Sequence, residues 1–103
     1  PALARTARLV RADLELLDAL AAEAHSDEIE ILRAMPAALR TRVLRRLVLD
    51  AGASAGELSA EHLARVDELV TAWRGQQRVE LPGHVSVVRA GNRLTCVRTP
   101  VAG

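Results

Sequence analysis

The sequence predicts a mainly α-helical domain that ends in a small C-terminal antiparallel β-hairpin, an α+β fold. Three observations carry this prediction. Leu, Val and Ala recur at three- to four-residue steps from Leu3 to Val70, the period of amphipathic helices. Beyond Gly75 the pattern changes to HVSVVRA and RLTCVR on either side of Gly91-Asn92, the signature of a hairpin. Half the residues are hydrophobic, yet Phe and Tyr are absent and Trp73 is the one Trp. The core is therefore built from Leu, Val and Ala, as helix packing requires. At 103 residues the chain forms a single domain and buries roughly two-thirds of its unfolded surface.

Residues 3–24 form the first helix, of about six turns. Leu3, Val10, Leu14, Leu17 and Ala21, with Leu20 beside them, make one apolar stripe, and Asp13, Glu15 and Asp18 lie off it. Ser26 and Asp27 offer an N-cap, with Glu30 completing a capping box from Asp27, for a short helical turn over residues 28–33. Pro36 suits the first position of the next helix, where its missing N–H costs nothing. Leu39, Val43, Leu44, Leu47 and Ala51 are its buried face, and Gly52 stops it. After the small-residue loop AGASAGEL, Ser59 caps a third main helix and Leu58 staples onto Leu63. Leu63, Val66, Leu69, Val70 and Trp73 face inward, and Gly75 ends the helix. Trp73 reads as the core anchor where helix meets hairpin.

Residues 78–81 make a short strand and Pro82-Gly83 a type II turn. The hairpin follows over residues 84–90 and 93–98, closed by a type II′ turn with Gly91 at its first central position. In that register Val87 opposes Cys96 and Val85 opposes Arg98, so Val85, Val87, Leu94 and Cys96 share a face. The tail TPVAG is expected to fray. The organisation is thus a long helix (1–25), a helical body (27–74) and a β-hairpin region (78–98).

Net charge is only +1, but it is unevenly spread. Residues 1–30 carry three Arg against seven acids, and residues 31–103 carry 11 Arg against six. A basic second part points towards nucleic acid. Every positive side chain is Arg, which forms bidentate contacts with phosphate, although an Ala/Arg/Val-rich chain without Lys also fits a GC-rich genome. Arg40, Arg42, Arg45 and Arg46 lie within two helical turns, and Arg74, Arg78, Arg89, Arg93 and Arg98 lie on the hairpin side. All of these but Arg98 are the candidate RNA-binding residues: Arg40, Arg42, Arg45, Arg46, Arg74, Arg78, Arg89 and Arg93. Without Phe or Tyr as stacking platforms, recognition of RNA backbone and shape is favoured over reading of splayed bases.

Catalytic and metal constellations are not apparent. His25, His62, His84 and Cys96 lack zinc-motif spacing, and neither GxxxxGK[ST], GxGxxG nor a nucleophile elbow occurs. The one Cys rules out an internal disulfide and suits a reducing compartment. No apolar run approaches 18 residues, so the chain is expected to be cytoplasmic, with no membrane partner. Three helices and a hairpin also allow a winged-helix DNA-binding module. Against it, the loop at residues 52–58 is long, and Glu61, Asp67 and Glu68 are the wrong sign for a recognition helix. A structural role is the other alternative, in which the apolar stripe of the first helix braces a neighbouring domain or forms a homodimer.

Over nearly its whole length the chain resembles the region after the catalytic domain in bacterial tRNA(Ile)-lysidine synthetases, especially actinobacterial forms. The segments that carry the resemblance are ARTARLVRADLELLDALAAEA, LRAMPAALRTRVLRRLVLDAG and LVTAWRGQQRVELPGHVSVVRAGNRL. It implies a parent ligase that uses ATP with Mg2+ to join lysine to the wobble cytidine of a tRNA(Ile) with a CAU anticodon. It also implies that this helical region positions the tRNA beside an N-terminal catalytic domain carrying SGGxDS. That motif is absent here, so the chain itself is expected to be non-catalytic and to hold no cofactor. The opening Pro-Ala without Met reads as a piece of a longer protein. Many relatives have Gly at the position of His84, and basic residues at those of Ser86 and Val88.

Overall fold

The computed structural model describes residues 2–76 and 78–99. The elements run α1 (Ala2–Glu23), α2 (Ile29–Ala34), α3 (Ala37–Asp50), α4 (Ala60–Thr71), β1 (Val79–Leu81), β2 (Val85–Ala90) and β3 (Arg93–Arg98). The sheet is a three-stranded antiparallel meander in the order β1-β2-β3, so the short strand before the hairpin joins it. Arg78 lies just outside β1. Residues 100–103, most of the tail expected to fray, lie outside the described residues.

The core lies where α4 packs on the sheet, with α2 and α3 packed against α4. Ile29, Leu32, Val43, Leu44, Val48, Val66, Leu69, Val70, Val85 and Val87 are all fully buried. The predicted register is the observed one: Val87 pairs with Cys96 and Val85 with Arg98. Val85, Val87 and Leu94 are buried, and Cys96 packs against the core partly covered. Ser86 faces the other way yet is also buried, with its hydroxyl satisfied by donating to the Glu80 carboxylate at 2.8 Å. Position 86 is therefore not a surface site in this chain. His84 holds φ 61°, which glycine adopts more readily.

Helix α3 ends in a Schellman arrangement. Gly52 takes φ 110°, its N–H donates to Leu49 C=O at 3.0 Å, and Ala53 N–H donates to Val48 C=O at 3.0 Å. Ser59 begins α4 as expected, and His62 completes the box: Ser59 Oγ accepts from His62 N–H, while His62 Nδ1 accepts from Ser59 N–H at 2.9 Å. Gly91 has φ 60° while Asn92 is not in the positive-φ region, in keeping with a type II′ turn.

Four expectations need correction. The Asp27–Glu30 capping box does not form. The N-cap of α2 is Glu28, whose side chain makes no capping hydrogen bond. The turn of the hairpin caps the helix instead: Asn92 C=O accepts from Ile29 N–H at 2.8 Å and Asn92 Oδ1 from Glu30 N–H at 3.2 Å. Asp27 is then free to pair with Arg93. Second, Pro36 is the N-cap of α3 and Ala37 its first helical residue. Val48, outside the predicted α3 face, is also fully buried, because this helix packs against both α1 and α4.

Third, the stripe of α1 is covered only near its end. Ala21 is buried, whereas Leu14 is 40% and Leu3 85% exposed. The 14-residue α3 spans about 21 Å against about 33 Å for the 22-residue α1, so α3 cannot cover it all. Fourth, α4 ends at Thr71, because Ala72 has φ −140° and ψ 41°. This takes Trp73 off the helical stripe. Trp73 is 48% exposed and is not a core residue.

Candidate nucleic-acid interface

The eight candidate arginines divide by what their guanidinium groups already touch. Arg40 projects from α3 towards α4, donates to Asp67 at 2.5 Å and to Met35 C=O at 2.9 Å, and its side chain is 11% exposed. It braces α3 against α4. Arg93 pairs with Asp27 and Glu28 and clamps the hairpin to the start of α2. Arg89 lies on the core face of β2, opposite Leu94, and donates to Leu69 C=O at 2.8 Å.

Arg33 reaches the adjacent Val70 C=O at 3.4 Å. The last turn of α4 contains no basic residue of its own. Arg89 and Arg33 thus supply from elsewhere the positive charge that its terminal carbonyls favour.

The other candidates face solvent. Arg42 contacts Asp18 of α1 at 3.2 Å. Arg45 and Arg46 are exposed, and neither has a hydrogen bond or ion pair among the described residues. Together with Arg42 they line a shallow crevice bordered by Asp18, Leu49 and Asp50. They are exposed because Val43, Leu44 and Val48 take the inward side of α3, and consecutive positions 45 and 46 then fall on the opposite arc. Arg74 is exposed, with only its backbone N–H engaged, on Gln76 Oε1 at 2.6 Å. Arg78 lies 3.8 Å from Glu80 and its side chain stays 54% exposed.

Two groups near this surface carry weight that sequence reasoning did not assign. Arg65 is exposed on α4 without a partner among the described residues, and it lines a second crevice with Arg78 and Gln76. Its place between the inward residues Leu63 and Val66 was the signal for its exposure. Trp73 is the other. Its indole N–H donates to Gln76 C=O at 3.3 Å, and the Arg89 guanidinium stacks 4.6 Å from the ring centroid. Cys96 sits on the sheet's core side, where burial, and then the nearby Asp27 charge, push its thiol above the usual value of 9.0. It is therefore kept protonated and is a poor nucleophile.

The arrangement can hold anions. Exposed guanidinium groups on α3 and along the α4–β1 side present forks to phosphate oxygens. Among the described residues no cluster of three or more His, Cys, Asp or Glu is placed to hold a metal, and no helix is long and apolar enough to cross a membrane.

Comparison with known proteins identifies the family. Residues 28–95 match the family described as TilS substrate binding domain. The chain is 46% identical over 101 residues to a tRNA(Ile)-lysidine synthase of Streptomyces coelicolor, covering 90% of this chain and 29% of that protein. It is 49% identical over 90 residues to the synthase of Thermobifida fusca, covering 80% and 28%. A Salinispora tropica synthase is 41% identical over 103 residues, covering 92% and 31%. The chain thus spans less than a third of the length of these curated relatives. No solved structure matches it. With α2, α3, α4, β1, β2 and the start of β3 inside the matched segment, the chain belongs to the TilS substrate binding domain family.

Proposed function

We propose that this chain positions the tRNA substrate of a tRNA(Ile)-lysidine synthase, holding the RNA by its phosphates. The observation that carries this reading is the unpaired Arg45–Arg46 face of α3, flanked by Arg42. The relatives' name, tRNA(Ile)-lysidine synthase, supports a parent that makes lysidine on tRNA(Ile); in this reading it does so by ATP-dependent ligation of lysine to the wobble cytidine of a CAU anticodon. Residues 1–103 contain no SGGxDS motif or other phosphate loop, so ATP and Mg2+ belong to another part of that enzyme.

Arg40, Arg89 and Arg93 serve the fold first, and in this reading act on RNA by fixing the surface that carries the free arginines. The test is kinetic. In the full-length enzyme, Arg45→Ala with Arg46→Ala raises the apparent KM for tRNA and leaves ATP affinity unchanged. Unaltered tRNA kinetics refutes the role of this face.

The open stripe of α1 supports a second reading, in which the domain chiefly braces the catalytic domain or pairs with a second copy. Leu9, Leu16 and Leu20 are exposed alongside it, and an apolar helix face of this extent needs a partner. Sedimentation of the chain as a dimer, with no tRNA binding at low or moderate salt, decides for this reading.

A further inference from the structure

We propose that the notch between the end of α4 and the edge strand β1 binds an unpaired RNA nucleotide, with its base against the Trp73 indole and its phosphate between Arg65 and Arg78. This rests on the RNA-binding reading above and names the part of the RNA that is taken. Trp73 is the sole aromatic residue of the chain, yet it is half exposed instead of filling the core. It is also held still. The Arg89 guanidinium lies against the ring and is itself anchored to Leu69 C=O, while the indole N–H is fixed on Gln76 C=O. A rigid, exposed aromatic plate on a basic surface is what a nucleobase stacks on.

Gln76 joins the plate to the notch. Its carbonyl holds Trp73 and its Oε1 holds the Arg74 N–H. Its Nε2 is buried without a partner among the described residues, and Gln76 lines an open crevice of about 410 Å³ with Arg65, Glu68, Arg78 and Glu80. That volume lies in the range of small-ligand sites. Four charged side chains make the crevice unfit for an apolar peptide. They suit a nucleotide: two guanidinium groups for the phosphate and two carboxylates to accept from an exocyclic amino group. A base inside an A-form helix cannot reach the indole face, so the nucleotide must be unpaired.

Trp73 being the only Trp, with no Tyr present, the intrinsic fluorescence of this chain reports on the surroundings of that indole alone. Titration with a single-stranded RNA octamer is expected to quench the emission saturably. A duplex of the same sequence, or inorganic phosphate, leaves it nearly unchanged. By anisotropy of labelled octamer, Trp73→Ala weakens binding roughly tenfold, as loss of one base stack does, and Trp73→Phe recovers most of it. Arg78→Ala lowers the salt slope by about one. Far-UV circular dichroism confirms that each variant is folded.

The proposal is overturned if tRNA binds while Trp73 emission stays constant and Trp73→Ala binds like wild type; the broader RNA-binding reading then stands. An emission change produced only by the remainder of the enzyme, and untouched by RNA, assigns the indole to a protein contact and overturns it too. Absence of any RNA binding removes both readings. Quenching by the octamer without affinity for tRNA upholds the notch and removes the tRNA assignment.

Discussion

Replacing Gly83 by Ala strikes the contact that ties the sheet to the end of α3. Gly83 has φ 97°, and a Cβ built there falls 2.8 Å from both Gly52 O and Ser54 N. Neither atom can yield cheaply, because both are backbone and Ser54 N–H donates to Pro82 C=O at 2.9 Å. Left-handed backbone in an L-residue costs about 1–2 kcal/mol. Opening the loop loses one hydrogen bond, about 1 kcal/mol, and overpacking adds about 1–3 kcal/mol. The sum is about 4 kcal/mol, a large part of the roughly 5–15 kcal/mol that stabilises a domain.

Gly75 is the control. It has φ 91°, but an added Cβ meets nothing within 4 Å, so Gly75→Ala carries only the backbone cost of about 1–2 kcal/mol. Any gain from a stiffer unfolded chain applies to both variants and cancels in the comparison. Urea unfolding followed by circular dichroism, at unchanged m-value, is expected to separate them by about 2–4 kcal/mol. Equal losses in the two variants would refute the packing of the 82–83 turn against residues 52–54.

Three further outcomes follow from the same structure. Arg40→Ala removes both the Asp67 and the Met35 contacts at a largely buried site and is expected to cost about 2–4 kcal/mol, read as a lowered melting temperature; a shift of under one degree contradicts the brace. Asn92→Ala deletes the side-chain acceptor for Glu30 N–H but keeps the backbone acceptor for Ile29 N–H. It should cost about 1 kcal/mol and speed hydrogen exchange at Glu30 more than at Ile29. Because the folded thiol of Cys96 is raised above 9.0 by burial and then by Asp27, its contribution is fully present below the unfolded value and is lost as pH rises through the folded one. Unfolding free energy should therefore fall above about pH 9, and Cys96→Ala should flatten that fall; an unchanged slope contradicts the assignment.

Local signals proved the most legible in the sequence. Ser59 and Gly91 act on their own neighbours within three residues, so their cap and turn could be read directly. The period of two in β2 and β3 set the register, and with it the pairing of Val87 with Cys96. What could not be read depends on partners distant in the chain. Asn92 caps a helix whose first residues lie more than sixty positions earlier, which diverts Asp27 from its own helix to Arg93.

Trp73 illustrates the same limit for the candidate site. Its place on the stripe of α4 holds only if the helix continues, and the departure of Ala72 from helical geometry sends it outward. Among the arginines, type and spacing identified a basic surface but not which members the fold would use. Arg40 and Arg89 are consumed by acceptors on α4, contributed by Asp67 and Leu69, and no pattern along α3 or β2 announces this.

The most direct test of the account is the salt dependence of tRNA binding to this chain, measured for wild type and for Arg45→Ala with Arg46→Ala. If the exposed face of α3 grips phosphates, affinity falls steeply with salt, and the double variant has a log–log slope lower by about 1.5. Identical slopes, or binding indifferent to salt, would contradict it.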